Sequence, residues 1–311
     1  MVGGFVFPGQ GSQSVGMLKD LAATYPAVRD TFAEASEALG YDLWALVQSG
    51  PAEALDRTEK TQPALLAAGV AVWRVWTAKG GARPARVAGH SLGEYTALVC
   101  AGALPFREAV TLCADRGRYM QEAVPPGAGK MAAILGLDDE AVARACRGAG
   151  IGGEIVSCAN FNAPAQIVIA GDTSAVEAAV LRARDLGARR AVVLPVSVPS
   201  HCALMRPAAL RLQERLQTVR IETPAIPVVH NADVCSHGDP EEIARVLSEQ
   251  LFKPVRWVEV IRRLCREGVD AVVECGPGRV LAGLCKRIDP GLKTFVTDTP
   301  EDLENALGEM R

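Results

Sequence analysis

The chain has 311 residues, 49% of them hydrophobic and 22% charged, and a formal net charge of −3. That length amounts to about two domains, or one large domain with an insertion, and the composition excludes a disordered or fibrous chain. The 33 Lys plus Arg against 36 Asp plus Glu give no basic excess pointing to nucleic acid, and the longest apolar stretches, 64–73 and 95–106, fall short of the ~20 residues of a membrane span.

The first expected strand is 4–7, closed by Pro8-Gly9, and the loop Gln10-Gly11-Ser12-Gln13 leads into a helix-like stretch. No basic leader precedes this apolar run and Pro8 stops it, so it does not read as a signal peptide. Residues 52–55 and 61–79 read as helices, the second with Pro63 near its first turn and Gly80-Gly81 as its stop. Val87-Ala88 is a short buried strand, and the pattern is helical from Leu92 through Val99 and again over 107–122. The cluster Pro125-Pro126-Gly127 then marks the clearest domain boundary.

Beyond it the spacing predicts a strand over 131–135, a helix over 138–147 and strands over 155–159 and 166–170, the last two joined by the turn Asn162-Ala163-Pro164. A helix over 174–186, capped by Asp172 or Thr173, and a strand over 190–196 complete the order β-α-β-β-α-β. That is the ferredoxin-like signature, so residues 128–197 are expected to form a small inserted subdomain. After His201 strands and helices alternate again: helices over 205–217, 242–251 and 258–267, and strands at 228–229 and 271–274, the last running into Cys275-Gly276-Pro277-Gly278. Residues 1–127 and 198–311 therefore read as one α/β core with a parallel sheet, interrupted by the insert.

Gly89-His90-Ser91-Leu92-Gly93 fits G-x-S-x-G and falls between a short apolar strand and a helix. There a tight turn projects Ser91 at a helix N-terminus, where the dipole and free N–H groups favour developing negative charge. A serine nucleophile needs a base, and the histidines are His90, His201, His230 and His237. His90 adjoins Ser91, so their side chains should diverge; His230 follows a buried strand and suits a structural role; His237 lies in a polar loop and reads as solvated. His201, at the end of the extended segment from Pro195 to Ser200, is the favoured base. Cys202 beside it reads as a small packed thiol rather than a rival nucleophile. The nine cysteines, with no CxxC pair, fit buried thiols in a reducing, cytoplasmic compartment better than a zinc site or a disulfide framework.

Six blocks taken together carry a resemblance: PGQGSQ (8–13), TQPAL (61–65), GHSLGEY (89–95), Arg116-Gly117, PVSVPSH (195–201) and GPG (276–278). In this order the chain resembles the malonyl-CoA:acyl carrier protein transacylases, acyltransferases of dissociated fatty acid synthesis, from Phe5 to about Lys286. The resemblance implies an α/β-hydrolase-like core with an inserted ferredoxin-like subdomain. It also implies transfer of malonyl from malonyl-CoA to the phosphopantetheine thiol of acyl carrier protein, through an ester on Ser91, without metal or cofactor.

Under the resemblance His201 is the general base, and the backbone N–H groups of Gln10 and Leu92 form the oxyanion hole. Gln250 orients His201 through its backbone carbonyl. Arg116 binds the malonyl carboxylate, for which a guanidinium offers two parallel donors; on helix periodicity alone it reads as a surface residue. Gln62, Asn160, Asn162 and Ser200 are further pocket candidates, and Gly276-Pro277-Gly278 reads as a supporting turn. The rival readings are a polyketide carrier as acceptor, a serine thioesterase or esterase, and an idle docking subunit. The hydrolases' HGGG-type loop and carboxylate triad member are not found in the sequence.

Overall fold

A computed structural model describes residues 1–150, 152–196 and 198–310. Ser197 and Arg311, where two of the expected domain bounds fall, lie outside the described residues. Nine strands occur among those described: β1 (Gly3–Phe7), β2 (Arg86–Gly89), β3 (Gly129–Leu135), β4 (Val156–Ala163), β5 (Gln166–Asp172), β6 (Arg190–Val193), β7 (Val228–Val229), β8 (Ala271–Glu274) and β9 (Lys293–Val296). They make two sheets, one ordered β7-β2-β1-β8-β9 and the other β4-β5-β3-β6.

The five-stranded sheet is parallel throughout. Every residue of β1 and of β8 is buried, as expected of strands covered by helices on both faces. The helix Thr58–Ala78 begins one turn earlier than its sequence suggests, so Pro63 lies inside it rather than in its first turn. That position lacks the N–H that would reach back four residues. The helix Phe106–Glu122 packs along it. Contact is close at Gly117, where a Cβ would stand 2.6 Å from the Thr58 carbonyl oxygen. Only glycine allows that approach, and it turns the preceding Arg116 toward Gln62. Five elements without a sequence forecast complete the molecule: helices Pro26–Leu39, Leu43–Ser49, Val280–Ile288 and Pro300–Glu309, and the edge strand β9.

The four-stranded sheet is antiparallel and carries the ferredoxin-like strand order with the helices Asp139–Arg147 and Thr173–Asp185. In β3 and β5 successive side chains alternate between the two faces, as a period of 2 requires. Ile134, Ile167 and Ile169 join Val142, Val176 and Val180 in one apolar cluster under the helices. Met131, Val168 and Ala170 face the other way and meet Cys202, Leu194 and Val196. The hairpin turn is Pro164-Ala165, with Ala165 at φ 57°, so Asn162 belongs to β4 rather than to the turn. The last strand stops at Val193, short of the expected Val196. Two bulges in β4, between Cys158 and Asn160 and between Phe161 and Ala163, flank these asparagines. Two backbone bonds tie β4 to the parallel-sheet region: Val255 N–H to the Ala159 oxygen at 2.8 Å and Phe161 N–H to the Val255 oxygen at 2.9 Å. No helix among the described residues is long and apolar enough to cross a membrane.

Candidate active site

β2 ends at Gly89, His90 N–H still donates to the Phe7 oxygen at 3.0 Å, and the helix Gly93–Cys100 starts four residues after the strand. Such a sharp reversal forces Ser91 to φ 51°, a left-handed conformation that costs a non-glycine residue energy. It is held by crowding: a Cβ on Gly89 would lie 1.8 Å from the Gly93 carbonyl carbon. Asn231 braces the turn, accepting from Ser91 N–H through Oδ1 at 2.7 Å and donating through Nδ2 to the Gly89 oxygen at 2.7 Å.

Ser91 Oγ lies 2.8 Å from His201 Nε2. The other ring nitrogen, Nδ1, lies 2.7 Å from the Gln250 backbone oxygen. A carbonyl can only accept, so Nδ1 carries the proton and Nε2 presents its lone pair to the serine hydroxyl. His201 is itself at φ 63° and its N–H donates to the Leu251 oxygen at 2.9 Å, so the backbone fixes the ring from two sides. Burial, and then the Arg116 guanidinium, hold the imidazole pKa far down, at about 3. A base that stays neutral is ready to take a proton.

Arg116 is 1% exposed although it is a guanidinium. Its Nη1 donates to Gln62 Oε1 at 2.7 Å, and its Nη2 to Gln250 Oε1 at 2.9 Å and to Ser91 Oγ at 3.3 Å. Among the described residues it makes no ion pair, and the buried Glu94 carboxylate meets His230 Nδ1 at 2.7 Å instead. Helix periodicity alone would put this arginine at the surface; it is instead a buried cation, hydrogen-bonded to two amides and the nucleophile's hydroxyl and 5.4 Å from the centre of the Tyr95 ring. Gln62 is buried with it, and Gln250, which could have been a solvated helix end, is fully buried.

These groups open on a cavity of about 210 Å³ lined by Gln10, His90, Ser91, Leu92, Arg116, Asn160, Asn162, Ser200 and His201. Met120, Met131, Val168, Leu194, Val196 and Val198 supply its apolar wall. Ser91 has given its own N–H to Asn231, and Leu92, the next residue, stands at the start of the helix. His90 does diverge from Ser91, donating through Nε2 to Asn162 Oδ1 at 2.8 Å. Cys202 is buried, gives its thiol to the Pro199 oxygen at 3.1 Å, and has its pKa pushed up by burial to about 12. It is no competing nucleophile. His237 is not simply solvated, since its Nε2 meets Asp233 Oδ2 at 2.8 Å. Gly276 packs on Pro8 beneath the loop that carries Gln10. A larger open groove of about 570 Å³, lined by Leu216, Ile221, Pro240 and Arg245 among others, holds none of these groups. No group of three or more His, Cys, Asp or Glu side chains suited to a metal occurs among the described residues.

Asn231, Glu94 and the Gln250 side chain were not legible as site residues. Glu94 falls inside the block GHSLGEY but nothing there sets it apart as a site residue, Asn231 belongs to none of the six blocks, and Gln250 is implied only through its backbone oxygen.

A serine on a strand-to-helix turn beside a neutral histidine and a buried arginine is an arrangement chemically able to carry an acyl group on the serine. The chain belongs to the acyl transferase family, whose domain matches residues 4–290. It is 55% identical to the malonyl CoA-acyl carrier protein transacylase of Salmonella typhimurium over 97% of this chain and 98% of that one. Among solved structures it superposes on an acyl carrier protein S-malonyltransferase from Vibrio cholerae with TM-score 0.96, at 54% identity, covering 98% and 99% of the two chains. A malonyl-transacylase solved in complex with a type II PKS acyl-carrier protein matches with TM-score 0.98 at 53% identity, covering 99% and 100%.

Proposed function

We propose that the protein moves malonyl groups from malonyl-CoA to the phosphopantetheine thiol of acyl carrier protein, by way of a malonyl ester on Ser91, and so supplies fatty acid synthesis. The observation that carries this reading is the buried Arg116 guanidinium, 3.3 Å from the Ser91 hydroxyl and without a carboxylate partner among the described residues. An acyl group ending in a carboxylate supplies that partner at the reacting centre.

Ser91 Oγ attacks the thioester carbonyl while His201 Nε2 takes its proton. The backbone N–H groups of Gln10 and Leu92 receive the oxyanion. The C–S bond then breaks, and the imidazolium returns the proton to the CoA sulfur. Carrier thiol repeats the sequence in reverse: its proton passes to His201, its sulfur attacks the ester, and Ser91 leaves with the proton restored. Gln250 keeps the imidazole in the productive tautomer, while Gln62, Asn160, Asn162 and Ser200 shape the pocket. No step calls for a metal or a cofactor. We assign residues 1–127 and 198–311 to the catalytic core and 128–197 to the ferredoxin-like subdomain, in a cytoplasmic enzyme whose nine cysteines are free thiols.

Mixing with malonyl-CoA should release a burst of CoA and leave a malonyl adduct on the Ser91 peptide by mass spectrometry. An adduct on Cys202 instead, or no burst, overturns the reading. Hydrolysis outpacing transfer in the presence of carrier protein would make the chain a thioesterase. Transfer to a polyketide carrier but not to a fatty acid one would change the pathway and leave the chemistry intact.

A further inference from the structure

Glu94, in the first turn of the helix Gly93–Cys100, is fully buried and touches none of the groups that react. Its Oε1 accepts from His230 Nδ1 at 2.7 Å. Its Oε2 accepts from Asn231 N–H and from Gln250 Nε2, both at 2.9 Å. Each of these last two neighbours goes on to hold the nucleophile. Asn231 takes the Ser91 N–H, and Gln250 Nε2 donates also to the Ser91 backbone oxygen at 3.0 Å.

The polarity of this chain of bonds is directional. A carboxylate can only accept, so the Gln250 amide must turn its NH₂ toward Glu94. That leaves Gln250 Oε1 facing Arg116 Nη2, a guanidinium that can only donate. With the amide reversed, oxygen would meet oxygen on one side and N–H would meet N–H on the other. We infer that Glu94 is a positioning residue for acyl selectivity: through the Gln250 amide it holds the Arg116 guanidinium beside Ser91, as one end of an ion pair bridged by an amide. Glu94 thereby balances the buried cation without occupying the guanidinium face that receives the substrate carboxylate. This inference rests on the role proposed above for Arg116.

The test compares kcat/KM for malonyl-CoA and acetyl-CoA in Glu94→Ala, Glu94→Gln and Arg116→Ala. Alanine removes the carboxylate that accepts from the Gln250 NH₂ and leaves it the Ser91 backbone oxygen alone, so the guanidinium is held less firmly and the malonyl-to-acetyl ratio should fall about tenfold, chiefly through a higher KM for malonyl-CoA. Glutamine keeps one oxygen toward Asn231 and Gln250. Its new NH₂ faces His230 Nδ1, which can accept by changing tautomer because His230 Nε2 has no hydrogen-bond partner to lose. Glu94→Gln should therefore keep the ratio within about twofold. Equal losses for both acyl groups in Glu94→Ala reduce Glu94 to a structural role and overturn the inference, as does a Glu94→Gln variant no better than alanine. If Glu94→Ala does not fold, Glu94→Asp carries the test, since its shorter reach cannot serve all three donors; an unchanged ratio there is equally fatal. The Arg116→Ala control separates the two ideas. If it abolishes the preference while Glu94→Ala keeps it, only the role of Glu94 fails; if it leaves the preference intact, the reading of Arg116 fails first.

Discussion

The parallel-sheet region brings Ser91, Arg116, His201 and Gln250 together from chain positions 25 to 159 residues apart, whereas the antiparallel sheet is assembled within one continuous segment, from Gly129 to Val193, by the β4–β5 hairpin and by β3, which pairs with β5 and β6. In the first region polar groups are buried and cross-linked, and its key turn is strained. In the second, alternation places an apolar face under two helices and turns the other face to the site, where it contributes side chains that shape but do not react. Chemistry and wall thus come from different structural economies. The reacting geometry is over-determined by contacts from every side, while the wall follows from a simple repeating pattern.

The severest way to break that contrast is Gly89→Ala. A Cβ placed 1.8 Å from the Gly93 carbonyl carbon and 2.2 Å from the Glu94 nitrogen must displace backbone. The expected cost is roughly 3 kcal/mol or more, read as a lower denaturation midpoint together with lost acylation. Next comes Ile134→Ala in the insert, where the side chain is 1% exposed. Unfolding free energy should drop by about 2–5 kcal/mol while CoA burst amplitude per folded molecule stays constant. A burst that falls with stability would show the insert doing more than walling the pocket.

The pH dependence sharpens the comparison from the catalytic side. Burial and Arg116 both depress the His201 pKa, from 6.5 to about 3. The base therefore stays neutral in the folded protein well below pH 6.5, and the acid limb of acylation should lie far below it. In Arg116→Ala the second largest of the depressing causes is gone, so the limb, followed with acetyl-CoA, should move up in pH. Each unit of movement corresponds to about 1.4 kcal/mol. Stability carries the matching sign: between pH 6.5 and about 3 the unfolded chain binds a proton that the folded imidazole refuses, so acidification favours unfolding. A limb that does not move would mean that the Arg116 charge does not set the imidazole.

The smallest effect is expected at the surface. Lys286 and Arg287 are exposed on the helix Val280–Ile288, which packs on β4, the strand that carries Asn160 and Asn162. Reversing both charges should raise the KM for an acidic carrier protein a few-fold and leave malonyl-CoA loading alone, because exposed charges act mainly on encounter. Unchanged carrier kinetics would move the docking surface elsewhere.

Much of the fold was readable because its signals are local. Strand alternation and the β-α-β-β-α-β order announce the antiparallel sheet and its two helices, and the glycines of G-x-S-x-G announce the turn at Ser91. Boundaries slipped where tertiary contacts decide them: the helix Thr58–Ala78 begins before its proline, and β4 continues through Asn162 because it pairs with β5 and is anchored at Val255. His201 and Arg116 entered only through the resemblance of six blocks or as favoured candidates, since no periodicity marks a helical arginine as buried.

By itself, then, the sequence determined the two sheet types, the nucleophile's turn and the family's chemistry, because each is announced by short local patterns, strand and helix spacing or compact blocks of residues, that can be read one at a time along the chain. Tertiary structure alone decided that Gln250 uses its side chain as well as its backbone oxygen. It decided too that Glu94, Asn231 and His230 converge behind Ser91 and that Arg116 lies buried without a carboxylate. Hydrogen-bond polarity inside a site is set by which donors and acceptors meet after folding, and the linear order of residues carries no record of those meetings.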